Sequence, residues 1–149
     1  MKRSGVRAGQ RVLDVACGTG VVSVTAARLG AHVTGLDLTP ELLERARVNA
    51  QIAGVEIDWH EGDVENLPFA DGSFDIVLSE FGHIFAPRPD VAIAEMLRVL
   101  KPGGTALISD FINTGFYQKV FIASGLKVSC TSLNLLSYPP LRVIQAEKP

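Results

Sequence analysis

Two glycines and two acids near the start of the chain form a pattern that suits a nucleoside. Asp14 lies inside an apolar run that leads into a turn at residues 16–20, and Asp37 ends the next apolar run. Because glycine has no Cβ, the backbone at Gly18 and Gly20 can approach a ligand closely. Across the crevice, the carboxylate of Asp37 can accept hydrogen bonds from both hydroxyls of a ribose. The sequence therefore predicts a site for a nucleoside-bearing ligand.

The residues around the glycines distinguish two classes of nucleoside ligand. A dinucleotide site has a third glycine, where this chain has Ser23, and it places a pyrophosphate on a helix N-terminus. The negative charge of Asp14 would disfavour a pyrophosphate, but it suits a ligand that carries an ammonium group. A nicotinamide dehydrogenase is therefore the weaker of the two hypotheses.

Together with segments further along the chain, these residues make the sequence resemble the class I methyltransferases that use S-adenosylmethionine. This donor carries an ammonium and a sulfonium group. The first acid and the glycine turn match the first motif of that family, and Asp37 matches the second. The later motifs are matched in family order by the segments GDVENLPF (62–69), SFDIVLS (73–79) and RVLKPGG (98–104). The resemblance is strong from about residue 12 to about residue 110. It points to the small-molecule and quinone-pathway branch.

The resemblance implies a set of donor-binding residues. These are Asp14, Ala16, Cys17, Gly18, Gly20, Asp37, Leu38, Asp63, Val64 and Ser79. The first acid and the backbone of the turn would hold the amino-acid end of the donor, and Asp37 would hold the ribose. Leu38 would pack on adenine, Asp63 would accept from its amino group, and the next amide would donate to a ring nitrogen. Ser79 would face the methyl group and the substrate.

Two residues at the end of the fourth predicted strand are candidates for catalysis. The resemblance implies direct in-line displacement at the methyl carbon, with S-adenosylhomocysteine as product, and such chemistry depends on positioning. Glu80 is a candidate base or substrate orienter. His83 is the other candidate, because the unperturbed pKa of histidine, about 6.5, suits proton removal. Alternatively, His83 is a loop histidine that hydrogen-bonds backbone or solvent.

Composition predicts one domain without a basic surface. With 149 residues, 47% of them hydrophobic, residues 1–149 can bury one core and are too few for two ordinary domains. A net charge of -2 gives no basic field for nucleic acid. The chain has no apolar run long enough to span a bilayer and no signal-peptide core, so we expect a cytoplasmic protein without a membrane partner. Cys17 and Cys130 match no metal or redox spacing, so no metal is expected, and Cys17 suits the turn by its small size.

Strands and helices alternate along most of the chain, which is typical of a parallel sheet with crossover helices. Strands are predicted at about 11–16, 32–37, 55–59, 74–79 and 104–110, with helical patterns between them. A short helix is then predicted to end near Gly125. The runs 126–133 and 141–146 are too close for a crossover helix, so they must be antiparallel. We therefore expect an α/β fold with a doubly wound, Rossmann-like sheet of seven strands, mostly parallel with a C-terminal antiparallel hairpin.

Helix caps and buried faces are also predicted. Thr39 should cap the second helix, with Pro40 at its first position and Gly54 at its end. The predicted buried face of this helix comprises Leu42, Leu43, Ala46, Ala50 and Ala53. Asp90 should cap the helix after the fourth strand. The predicted buried face of that helix comprises Ile93, Met96, Leu97 and Leu100.

Two segments that cover the pocket in the resembled family are short in this sequence. About ten residues precede the first strand, and residues 111–115 alone join the fifth strand to the next helix, so the chain reads as a minimal core. Apolar sheet surface left uncovered would favour a homodimer or another partner. The leading hypothesis is a methyltransferase acting on a small molecule. The second hypothesis is a core that binds S-adenosylmethionine with little or no catalysis.

Overall fold

Seven strands and four helices make up the part of the chain that the computed structural model describes, which is residues 5–82, 86–110, 114–133 and 141–149. The strands are β1 (Arg11–Val15), β2 (His32–Asp37), β3 (Asp58–Glu61), β4 (Phe74–Glu80), β5 (Leu100–Asp110), β6 (Lys127–Leu133) and β7 (Leu141–Glu147). The helices are α1 (Val21–Arg28), α2 (Pro40–Ala53), α3 (Pro89–Val99) and α4 (Thr114–Ala123). The end of α4 lies close to Gly125, as predicted.

The strands form a single sheet in the order β3-β2-β1-β4-β5-β7-β6. Pairing is parallel from β3 through β5, whereas β7 runs antiparallel to both β5 and β6. The predicted α/β fold with a mostly parallel sheet and an antiparallel C-terminal hairpin is confirmed. Strand order reverses between β1 and β4, and open parallel sheets bind ligands beyond the carboxyl ends of their strands at such a point.

Two strands begin at other residues than predicted. β3 starts at Asp58 rather than near residue 55, because Gly54 ends α2 in the left-handed conformation and the Val55 amide still donates to Ala50 of that helix. β5 starts at Leu100 rather than near residue 104, because Leu100 already pairs with Phe74 before an irregularity in the ladder. The local signal at Gly54 locates the end of α2 but does not determine where the next strand begins to pair.

The connection between β3 and β4, residues 62–73, contains no helix, so the helical pattern predicted there is wrong. Side chains from α3 bind its backbone instead. Arg98 donates to the carbonyl oxygens of Leu67 (2.9 Å) and Phe69 (2.8 Å), while Glu95 accepts the Leu67 amide at 2.8 Å. Because backbone polar groups need partners when they leave water, these bonds substitute for helical ones.

The caps of α2 agree with prediction, and the cap of α3 does not. Thr39 and Gly54 flank α2, with Pro40 at its first position, although the Thr39 hydroxyl makes no capping bond. The N-cap of α3 is Arg88, and Asp90 lies inside the first turn. The prediction for Asp90 as cap is therefore wrong, but a carboxylate in that turn still faces the positive end of the helix dipole.

Apolar residues fill both faces of the sheet. α3 and α4 cover one face with Ile93, Met96, Tyr117 and Phe121, which are fully or almost fully buried. On the other face, α1 and Val6 pack over a cluster of sheet residues. The members of that cluster from β4 and β5 are Ile76, Leu78 and Leu107, at 2%, 5% and 7% exposure. Among the described residues this apolar face is therefore covered, and the homodimer stays a prediction.

No helix in the described ranges is long and apolar enough to cross a membrane.

Candidate cofactor site

A pocket of about 410 Å³ opens at the carboxyl ends of β1, β2 and β4, where strand order reverses. Small-molecule sites commonly have volumes of about 300–1,000 Å³. The pocket wall includes seven of the predicted site residues, namely Ala16, Gly18, Asp37, Leu38, Asp63, Val64 and Glu80. The fold therefore brings together residues that are widely separated in sequence, at the edge of the sheet where a ligand is expected.

Backbone bonds hold the turn after β1 in a tight shape. The Cys17 amide donates to the Leu36 carbonyl oxygen at 3.0 Å, and the Gly20 amide donates to the Cys17 carbonyl oxygen at 2.9 Å. Ala16 has a φ of 53°, which is left-handed backbone that residues with a Cβ seldom adopt. Strained backbone of this kind is concentrated at ligand sites, where the surroundings impose it.

Asp37 links the end of β2 to this turn. Its Oδ2 accepts the Gly18 amide at 2.8 Å, its Oδ1 accepts the Thr39 amide at 2.9 Å, and the residue is only 7% exposed. Each carboxylate oxygen has two lone pairs, so one acceptor position remains on each oxygen. Asp37 therefore lines the pocket as an oriented anion with two unused acceptor positions.

Asp14 lies in β1, behind the pocket wall. It is 1% exposed, and the Ser23 hydroxyl donates to its Oδ2 at 2.6 Å. Burial raises the pKa of Asp14 to about 7, with the Ser23 hydrogen bond opposing that rise and the Glu80 carboxylate adding to it. A cationic group beside Asp14 would favour its ionised form. Ser23, which marks the absent third glycine in the sequence, thus has a structural partner of its own.

The two glycines of the turn face different surroundings. A Cβ on Gly18 would meet no atom within 4 Å, whereas a Cβ on Gly20 would lie 2.6 Å from Cη2 of Trp59 and 3.1 Å from Cβ of Ala46. Gly18 lies on the pocket wall, and Gly20 begins α1 as its N-cap. The open side of the turn is therefore at Gly18, and the structure places Gly20 against protein atoms.

Apolar side chains line the part of the pocket beyond Asp37. Leu38 is 66% exposed and Leu42 is 36% exposed, and both lie on the wall with Val64. The prediction that Leu42 belongs to the buried face of α2 is wrong, because the first turn of that helix borders the pocket. Asp63 accepts the Glu65 amide at 2.9 Å through Oδ1, which leaves Oδ2 without a hydrogen bond to the described residues.

The end of β4 forms the opposite wall. Glu80 is exposed there, and Gly82 is needed for close packing, since a Cβ on it would lie 2.2 Å from the Cβ of Ala16. Phe81 has a φ of 58°, so like Ala16 it is a residue with a Cβ held in left-handed backbone on the pocket wall. Phe81 and Gly82 are wall residues that are not among the predicted site residues, although they directly follow a predicted strand and belong to the segment that resembles the family. His83 lies outside the described residues.

Ser79 and Cys17 lie beside the pocket and do not form its wall. Ser79 is 2% exposed, and within the described part of the chain its hydroxyl has no hydrogen-bond partner. Burial, with added repulsion from the carboxylates of Asp14 and Asp37, raises the pKa of Cys17 far above its usual range. The thiol is therefore protonated at neutral pH, which disfavours a nucleophilic role and agrees with selection for small size.

The fold and the turn are those of a known family. The chain belongs to the methyltransferase domain family, whose model matches residues 12–104, and the predicted family is confirmed. An uncharacterized protein of Mycobacterium tuberculosis strain H37Rv is 51% identical over 117 residues, which cover 78% of this chain and 43% of that protein. A ubiquinone/menaquinone biosynthesis C-methyltransferase of Roseobacter denitrificans is 42% identical over 109 residues, covering 70% of this chain and 44% of that enzyme. The chain thus spans less than half the length of these relatives.

A solved structure shows the same fold over nearly the whole chain. The YcgJ protein of Bacillus subtilis superimposes with a TM-score of 0.84 at 23% identity, covering 99% of this chain and 95% of that protein. The agreement extends beyond residues 12–104 to the C-terminal hairpin, which the family model does not match.

Proposed function

We propose that this domain binds S-adenosylmethionine in the pocket of about 410 Å³ and transfers its methyl group to a small-molecule acceptor. The observation that carries the proposal is the hydrogen bond from the Gly18 amide to Asp37 Oδ2 at 2.8 Å. That bond places open glycine backbone and a carboxylate with unused acceptor positions on one wall. Membership of the methyltransferase domain family supports the same reading.

The nucleoside part of the donor fits the wall formed by β2, α2 and the turn after β3. Asp37 would accept hydrogen bonds from the ribose hydroxyls through its unused positions. Leu38 and Leu42 offer apolar surface to an adenine ring, and Val64 lies on the same wall. The free Oδ2 of Asp63 would accept from the adenine amino group, and the amide of Val64 would donate to a ring nitrogen.

The amino-acid end of the donor fits the turn after β1. Backbone groups at Ala16, Cys17 and Gly18 would contact this end of the donor, and the open side of Gly18 leaves room for it. The ammonium group would lie toward Asp14. Among the described residues, no cationic side chain forms a hydrogen bond or an ion pair with Asp14. A cation at that position would stabilise the ionised form of this buried acid.

Residues at the end of β4 would act on the acceptor. When bound, the donor would supply a methyl group attached to a sulfonium sulfur, and a nucleophile attacking the methyl carbon in line would release that sulfur as the thioether of S-adenosylhomocysteine. Glu80 lies on the pocket wall and would orient the acceptor or take its proton. His83 stays the second candidate base. The buried Ser79 hydroxyl would help to position the reacting groups, since transfer depends on alignment.

The acceptor is proposed to be a small molecule of the quinone type. This choice rests on the Roseobacter relative, whose name gives ubiquinone and menaquinone biosynthesis. A second candidate function is donor binding without transfer. The exposure of Glu80 and Leu38 at the pocket favours it, because water at the reacting groups weakens positioning and electrostatic stabilisation.

Calorimetric titration with S-adenosylmethionine, S-adenosylhomocysteine and NAD tests donor choice. We expect the first two to bind and NAD not to bind, and binding of NAD alone would overturn the proposal. Transfer of a labelled methyl group is then screened on small-molecule acceptors, with demethylated quinones first. Labelled product supports the enzyme, whereas tight binding without transfer to any acceptor supports the second candidate.

A pair of glycine variants tests the position of the ligand. Gly18 and Gly54 both have left-handed backbone, with φ of 54° and 66°, and a Cβ on either would meet no atom within 4 Å. Gly18→Val and Gly54→Val therefore carry similar backbone strain, but only Gly18 lines the pocket. We expect at least tenfold weaker donor binding for Gly18→Val alone, with both variants folded by circular dichroism. Equal affinities would show that the turn does not face the donor.

A further inference from the structure

Trp59, the single tryptophan of the chain, packs against two glycines beneath the donor turn. It lies in β3 directly opposite Gly35 of β2. A Cβ on Gly35 would lie 2.4 Å from Cζ3 and 2.6 Å from Cε3 of the indole, and a Cβ on Gly20 would lie 2.6 Å from Cη2. The ring therefore reaches from Gly35 in the middle of β2 to Gly20 just before α1. It fits at both positions only because glycine has no side chain.

The indole supports the side of the turn that faces away from the ligand. Gly18, on the other side, has open space, while Gly20 contacts both the ring and Ala46 of α2. The Gly20 amide bonds Cys17, and Cys17 in turn bonds Leu36, the residue after Gly35. Turn, strand β2 and indole thus form one closed set of contacts, and the ring fixes the separation between Gly20 and Gly35.

We infer that Trp59 is a positioning residue for the methyl donor, because its indole sets where the turn lies relative to Asp37. The inference rests on the proposed donor site. Trp59 does not line the pocket, so it acts through the Gly18 amide, whose 2.8 Å bond to Asp37 tolerates little movement of the turn. Displacements of about 1 Å in positioning groups can cost on the order of a hundredfold in rate.

Two substitutions at Trp59 separate positioning from general packing. We expect Trp59→Leu to weaken donor binding about fivefold to twentyfold and Trp59→Phe to weaken it about twofold to threefold, because Phe keeps part of the ring. KM for the donor should rise more than kcat falls, since the acceptor wall of β4 is untouched. Affinities are measured by calorimetry at a temperature where circular dichroism shows each variant fully folded.

Phe121→Leu is the matched control. Phe121 is fully buried in α4 and does not line the pocket, so the change weakens the core without touching the turn. We expect this variant to lose thermal stability and keep wild-type donor affinity. Equal loss of affinity in Phe121→Leu and Trp59→Leu would refute positioning, as would wild-type affinity in Trp59→Leu.

A double variant tests the contact itself. Gly35→Ala drives a Cβ into the indole, and once Trp59→Leu removes the ring, the next neighbour is Cys17 Sγ at 3.2 Å, which needs only a small adjustment. We expect Gly35→Ala to lose at least tenfold in donor affinity or to fail to fold. The double variant should fold and bind as well as Trp59→Leu alone, whereas losses that simply add would overturn the inference. Absence of donor binding by the wild-type protein would instead refute the proposed function.

Discussion

Asp14 and Asp37 belong to neighbouring parallel strands and are both buried, yet the protein holds the two carboxylates in different ways. Asp37 accepts two backbone amides, those of Gly18 and Thr39. Asp14 takes its hydrogen bonds from Ser23 of α1, whose hydroxyl donates at 2.6 Å and whose backbone amide also lowers the pKa of the carboxyl. Asp14 is also the more buried of the two, at 1% exposure against 7%.

Position along the strand explains the difference. Asp37 is the last residue of β2, so the chain turns immediately after it and leaves the Thr39 amide free to bond the side chain. Asp14 is one residue inside β1 and is paired on both sides, with Gly35 and with Leu78. The neighbouring strand amides are engaged in the sheet, so the carboxylate depends on Ser23 at the start of α1. We therefore interpret Asp37 as an oriented acceptor and Asp14 as a group that titrates near neutral pH.

The largest expected effect is that of Asp37→Ala on donor binding. The variant removes the proposed ribose acceptor and also releases the amides of Gly18 and Thr39. Loss of two hydrogen bonds to a charged group costs about 2–4 kcal/mol, which corresponds to about 30-fold to 900-fold weaker binding. Calorimetry with S-adenosylmethionine measures the change, and Glu44→Ala, at an exposed carboxylate of α2, is the control. Unchanged affinity would contradict the ribose assignment.

Asp14→Asn should stabilise the fold at alkaline pH. The pKa of Asp14 rises from 3.8 to about 7 on folding, so between these values the folded state holds a proton that the unfolded state has released. Stability due to Asp14 therefore falls as pH rises through that window, by about 1.4 kcal/mol per unit, and the full penalty remains above pH 7. We expect Asn to raise the free energy of unfolding by up to about 4 kcal/mol at pH 8 and to change it little at pH 4.

Urea unfolding at the two pH values measures this difference. Asp75 and Glu95, whose pKa values are lowered by hydrogen bonds from Lys101 and Arg98, have the opposite dependence. They are unchanged in the variant, so their effects cancel in the comparison. A stability difference that does not depend on pH would show that Asp14 stays ionised in the fold.

The smallest expected effect is the pH dependence of donor affinity. If Asp14 must be ionised to bind an ammonium group, a pKa of about 7 predicts about fivefold tighter binding at pH 7 than at pH 6, below the pH at which the donor's own amino group loses its proton. Ser23→Ala removes the hydrogen bond that lowers this pKa, so the midpoint should move to higher pH. Titrations across that range give the midpoint, and a flat wild-type profile would remove Asp14 from the donor site.

Sequence reasoning predicts the parts of the site that depend on short-range signals. The strand, glycine turn and helix around Gly18, and the strand that ends at Asp37, are local patterns, and the structure places both residues on one pocket wall. The predicted third strand includes Trp59, but the sequence does not show that Trp59 faces Gly35 of β2. That contact depends on register between strands, which distant packing determines.

Other features escape prediction because they depend on side chains far away in sequence. Leu42 fits the apolar period of α2, but the period alone cannot tell a core from a pocket wall at the end of a helix. The helix-free connection before β4 depends on Arg98 in α3, which binds Leu67 and Phe69 about thirty residues earlier. Burial of Ser23 against Asp14 likewise follows only once α1 is docked on the sheet.

The strand order has a consequence for how the domain is made. β6 precedes β7 along the chain, but β7 lies between β5 and β6 in the sheet, and β6 pairs with no other strand in the described ranges. A nascent chain emerging from the ribosome therefore presents β6 before its only neighbour has been synthesised. The parallel strands can assemble early, whereas this edge closes last, after Leu141–Glu147 has inserted. Until then the exposed edges of β5 and β6 are surfaces on which a chaperone or a wrong strand can bind.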